Sequence, residues 1–93
     1  MIKKEKMFVL SEKLYEIDEE ARNYIHFFEK SSRDRQEKEK LISFRDNIMK
    51  KIDEIIDEIN QIDHEDDLKR ATYKCCVDKR DSFGEIFSNL LKE

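Results

Sequence analysis

The chain has 93 residues, few enough for one domain or for half of an obligate oligomer. Charged residues make up 45% and hydrophobic residues 38%, with a net charge of −4; that balance opposes nonspecific adhesion to DNA or anionic lipid, and no apolar run approaches the ~18 residues of a membrane-spanning helix. Proline is absent and Gly84 is the only glycine, which removes the turn chemistry of an all-β fold and every Gly-rich phosphate loop.

In chain order, Met7-Phe8-Val9-Leu10 is too short for a secretory apolar segment. From there Met7, Leu10, Leu14, Ile17, Ala21, Tyr24 and Phe28 step by alternating threes and fours, the signature of a packed helix. Phe8, Tyr15, Ile25 and Phe27 widen the apolar face beyond a two-stranded seam. Ile25 and Phe27 lie on opposite flanks, and a three-helix bundle can bury both where a hairpin cannot. Glu29 through Lys40 contains no apolar residue, so a short turn near 31–32 is expected, with Ser31 or Ser32 capping the next helix. In the second segment Leu41, Ile48, Ile55 and Ile62 recur at sevens, joined by Ile52 and Ile59 and by a parallel row of Ile42, Met49 and Ile56. No strand alternates with that period, so helix is predicted despite the modest helix propensity of isoleucine.

The link Asp63-His64-Glu65-Asp66-Asp67 is short and acidic, suited to the positive end of a third helix, with Asp63 or Asp66 as its N-cap. The third segment carries the row Tyr73, Cys76, Arg80, Phe83, Phe87, Leu90, which keeps heptad phase but sets Arg80 in the apolar stripe. Ser82-Phe83-Gly84-Glu85 reads as a capping box, so the segment is either one helix with a polar interruption, the favoured reading, or two short helices broken near 78–82. The expected fold is all-α: an elongated antiparallel three-helix bundle in a single domain over 1–93, with helices near 4–30, 33–63 and 66–92. The alternative is a long hairpin that completes a bundle by oligomerisation or by exchange of the third helix.

Chemistry finds little support. Cys75 and Cys76 are adjacent, and neighbouring side chains on a helix diverge too far to share one ion or a useful disulfide. Reduced thiols in the cytoplasm are the simple expectation. His26 falls opposite the first stripe and His64 among carboxylates, with no Glu-x-x-His pair and no calcium loop. Lys69, Arg70, Lys74, Lys79 and Arg80 are interleaved with acids, and i,i+4 pairs such as Glu65 with Lys69 and Asp66 with Arg70 account for them better than nucleic acid does. No catalytic residue, metal site or cofactor site is expected. A thiol or metal sensor built on Cys75, Cys76 and His64 is the weakest of the functional readings.

What remains is a small non-enzymatic interaction module: an adaptor, chaperone-like partner or inhibitor that docks helix to helix, on another protein or on itself. Phe8, Val9, Tyr15, Phe27 and Leu91 are the expected apolar contacts, in excess of what regular stripes bury. The alternative rests on the stretch Ile52 to Leu68, which holds eight acids and no Lys or Arg. There Asp53, Glu54, Asp57 and Glu58, with no compensating base expected nearby, would form a ridge that blocks the basic groove of a nucleic-acid-binding protein, as a phage-type inhibitor does. Neither reading involves direct contact with nucleic acid or membrane.

Overall fold

The computed structural model describes residues 2–62 and 67–92, with side chains from Lys6 onward. Three helices, α1 (Ile2–Glu29), α2 (Arg35–Asn60) and α3 (Asp67–Lys92), account for almost all of the described chain, which contains no strand. Each helix packs against both others, giving a rod of 49 × 17 × 16 Å. The bundle closes within one chain, so the hairpin with an exchanged third helix is not the arrangement found.

Side-chain contacts fix the register. Asp18 meets Lys79, and Arg22 lies over the Phe83 ring, both at a sequence separation of 61, so α1 and α3 run parallel. Glu20–Lys51 and the Tyr24–Phe44 stack make α1 and α2 antiparallel. Asp53–Arg80 and Phe44–Phe87 do the same for α2 and α3.

The core follows the heptad rows. Met7, Leu10, Leu14, Ile17, Ala21 and Phe28 face Leu41, Ile48, Ile52, Ile55, Ile59 and Ile62, with Cys76, Phe83, Phe87 and Leu90 closing the third side. Three residues depart from expectation. Ile42 and Tyr73 each follow a buried residue, Leu41 and Thr72, and so are turned about 100° from it around the helix; both are exposed. Arg80 holds its place in the stripe by turning its guanidinium to Asp53, at 3.0 Å, which keeps the charge at the surface while the stem packs.

The α1–α2 turn is built differently from the serine-capped link expected. Asp34 is the N-cap of α2, accepting a hydrogen bond from the Glu37 backbone N–H at 2.9 Å. Ser31 serves the end of α1 instead, its hydroxyl donating to the Phe28 carbonyl. Ser32 donates to the Asp34 carboxylate. The chain reverses through Arg33, whose φ of 55° is the one positive value outside glycine among the described residues. Helix α3 is continuous through 78–82, so Ser82 and Glu85 are interior positions and the capping box does not form. The candidate caps Asp63 and Asp66, His64, and the pairs Glu65–Lys69 and Asp66–Arg70 involve residues outside those described; Arg70 lies 3.7 Å from Asp67.

Candidate functional site

A bundle of three helices has three outer grooves, and their linings differ because each helix presents a different flank to each neighbour. On α1, Ser11, Leu14, Tyr15 and Asp18 turn towards α3, where they meet Ala71, Thr72, Cys75 and Lys79 across a groove of about 410 Å³. Its floor is apolar: Leu14 is buried, and Thr72 donates its hydroxyl to the Leu68 carbonyl at 2.8 Å, which leaves no unmet donor there. One end is closed by Lys79, whose ammonium sits 2.7 Å from the Asp18 carboxylate, while Arg22 holds the other carboxylate oxygen at 2.9 Å. Burial works against ionising Asp18, but the hydrogen bonds and positive charge of Lys79 and Arg22 outweigh it and hold the carboxyl below the ordinary aspartate value.

Tyr15 stands on the rim of this groove 68% exposed, and Phe8, one heptad earlier on the same row, is 65% exposed. On α3, Leu68 is exposed and precedes Ala71, Thr72 and Cys75 by three, four and seven residues, which places it on the same face. The α1–α3 side therefore carries exposed apolar surface over two turns.

The other candidate apolar contacts do not join it. Val9 and Phe27 share the opposite flank of α1, the row of Lys13, Glu16 and Glu20 that faces α2, and they stand about 27 Å apart at ~1.5 Å per residue. Phe27 stays 60% exposed, in tilted contact with Tyr24, while Ile25 packs on the core, so the bundle covers only one of the two flanks. Leu91 is partly buried against the core and is not a free surface residue.

The acidic ridge is divided by the same geometry. Asp53 turns towards α3 and pairs with Arg80, so a compensating base does stand beside it, supplied by another helix. Glu54 and Glu58 turn the other way, into a groove of about 260 Å³ shared with Lys13 and Lys51 of the α1–α2 side. Asp57 is exposed, with no ion pair found among the described residues.

Cys75 is exposed in the α1–α3 groove and Cys76 is buried, both as free thiols. Burial, with a smaller contribution from the neighbouring Cys75, pushes the Cys76 thiol up to about 11. His26 is exposed. Among the described residues no group of three or more His, Cys, Asp or Glu side chains is placed to hold a metal ion, and no helix is long and apolar enough to cross a membrane. The groove itself escapes a reading by rows, because it is made by two helices 61 residues apart; the aromatic Phe44, stacked on Tyr24 at 4.1 Å, escapes it too, although it sits three residues after Leu41 and four before Ile48.

No family model, no curated protein and no solved structure matches this chain.

Proposed function

We propose that this protein is a non-enzymatic interaction module, an adaptor, chaperone-like partner or inhibitor, that docks helix to helix through its α1–α3 face. The observation that carries the reading is the pair Phe8 and Tyr15, each about two-thirds exposed on one row beside an apolar-floored groove. Aromatic rings left in water are costly alone and contribute strongly to affinity when a partner covers them. The free thiols suit a reducing cytoplasm. The acidic-ridge reading draws less support, because Asp53 is neutralised within the molecule and Glu54 and Glu58 share their groove with lysines.

The test is a pair of variants. Phe8→Ser/Tyr15→Ser should keep the helical signal and melting behaviour of the parent while losing self-association in sedimentation or retention of a partner in affinity capture. The second variant neutralises the ridge with Asp53→Asn, Glu54→Gln, Asp57→Asn and Glu58→Gln, and should bind as the parent does. Loss of binding by the second alone would replace the apolar reading with the acidic one. A parent chain that stays monomeric and captures nothing would end both.

A further inference from the structure

Among the described residues each pair of helices is joined by one interhelical ion pair, and all three pairs sit at the waist of the rod. Asp18 of α1 meets Lys79 of α3, Asp53 of α2 meets Arg80 of α3, and Glu20 of α1 meets Lys51 of α2, at 2.7, 3.0 and 3.3 Å. We infer that this belt is a conformational device that selects the hand of the bundle, and thereby decides which flanks of α1 and α3 come together to form the apolar groove.

A three-helix bundle has two hands. With the same core faces inward and the same chain directions, α3 can lie on either side of the α1–α2 hairpin. Passing from one hand to the other exchanges the two flanks of every helix. The flank of α1 that bears Asp18 would then face α2, and the flank of α2 that bears Asp53 would face α1. The flanks bearing Lys51 and Lys79 would likewise meet between α2 and α3. Levels are preserved, since residues 18 and 53 sum to the same value as the observed partners 20 and 51, and 20 is as far below 80 as 18 is below 79 to within one residue. The opposite hand would set Asp18 against Asp53 and Lys51 against Lys79, leaving only Glu20–Arg80 attractive. Three attractions stand against one attraction and two repulsions.

Apolar rows do not make this distinction, because they point to the centre in both hands. The Tyr24–Phe44 stack adds to the same preference, since Phe44 stands one heptad before Lys51, on the flank that α2 turns to α1 in the observed hand. Consequences reach the surface. In the observed hand α1 and α3 meet through Ser11, Leu14 and Tyr15 against Ala71, Thr72 and Cys75; in the other they would meet through the charged row Lys13, Glu16 and Glu20. The belt thus acts on fold choice, and its test does not depend on any partner being bound.

Two reporters read the hand in the full chain. Cys75 and a cysteine at position 11 line one groove in the observed hand. Position 58 faces α1 in that hand and would face Cys75 across α2 and α3 only in the other. Treating Ser11→Cys and Glu58→Cys chains separately with a short bismaleimide should link 11 to 75 and not 58 to 75. The exchange Asp53→Lys/Lys79→Glu leaves net charge unchanged, makes two native pairs repulsive and makes all three pairs of the other hand attractive. At about two- to fivefold in population per exposed pair, it should lower the 11–75 yield and raise the 58–75 yield by at least tenfold in ratio, with the aromatic stack keeping part of the population native. Asp18→Lys/Lys79→Asp makes the interhelical pairs of both hands equally attractive; the repulsion it sets between position 18 and Arg22 lies within α1 and is the same in either hand, so it should give a smaller shift in the same direction. An unchanged ratio in the second variant, or in the first while its helical signal persists, would overturn the inference.

Discussion

At the scale of single residues, environment decides behaviour more than residue type does. Cys75 and Cys76 are chemically identical neighbours, yet one lies in water and the other is fully enclosed with its thiol raised to about 11. A thiol-reactive disulfide such as dithiobisnitrobenzoate should therefore modify one cysteine per chain quickly at neutral pH and the second only after denaturant is added, and Cys75→Ser should remove the fast phase. Ile55, 3% exposed, has core neighbours one turn away in both directions, at Ile52 and Ile59. Ile55→Ala should lower stability by about 2–5 kcal/mol in a denaturant titration. This position was legible in the sequence because sevenfold recurrence needs no knowledge of the partner helices. The exposure of Phe8 and Tyr15 was legible only as an excess, since which flank stays open depends on where α3 lies.

At the scale of elements, the rows located every helix, and local chemistry misplaced some of the ends. Ser31 and Ser32 are good N-cap residues by type, but Asp34 is nearer the first helical residue and its carboxylate reaches the Glu37 N–H. The hydrogen bonds from Glu37 and from Ser32 hold its carboxyl below the ordinary aspartate value, so the cap is intact at neutral pH and weakens as pH falls through that lowered value. Asp34→Asn should retain most of the helical content and Asp34→Ala should lose more of it, judged by the thermal midpoint. The Ser82–Glu85 signature is a further case, a local preference overridden by packing, since Phe83 and Phe87 lie on a buried face that an interruption would break. That override leaves Gly84 inside a helix, with open space where a side chain would begin. Gly84→Ala should raise stability by about 0.5–1 kcal/mol, because alanine adds helix propensity and meets no clash; unfolding midpoints of the two chains settle it.

At the scale of the whole molecule, architecture was legible from three equal stripes and short links, while the grooves and the ion pairs were not, because they depend on which flanks meet. Asp18 joins the scales. Its carboxyl is held low by Lys79 and Arg22, so the stability it adds is present above the ordinary aspartate value of ~3.9 and is lost as pH falls through the lower folded value. Between pH 5 and pH 2 the parent should lose more stability than Asp18→Asn does, seen as a steeper fall in denaturant midpoint. The parallel course of α1 and α3 has a mechanical consequence. With an odd number of helices running up and down, Ile2 and Lys92 stand at opposite poles of a 49 Å rod. Tension applied between those residues acts along the rod, so α1 and α3 are loaded in shear and all the side-chain layers between them resist together. A two-helix hairpin has both ends at one pole and would part like a zipper, one layer at a time.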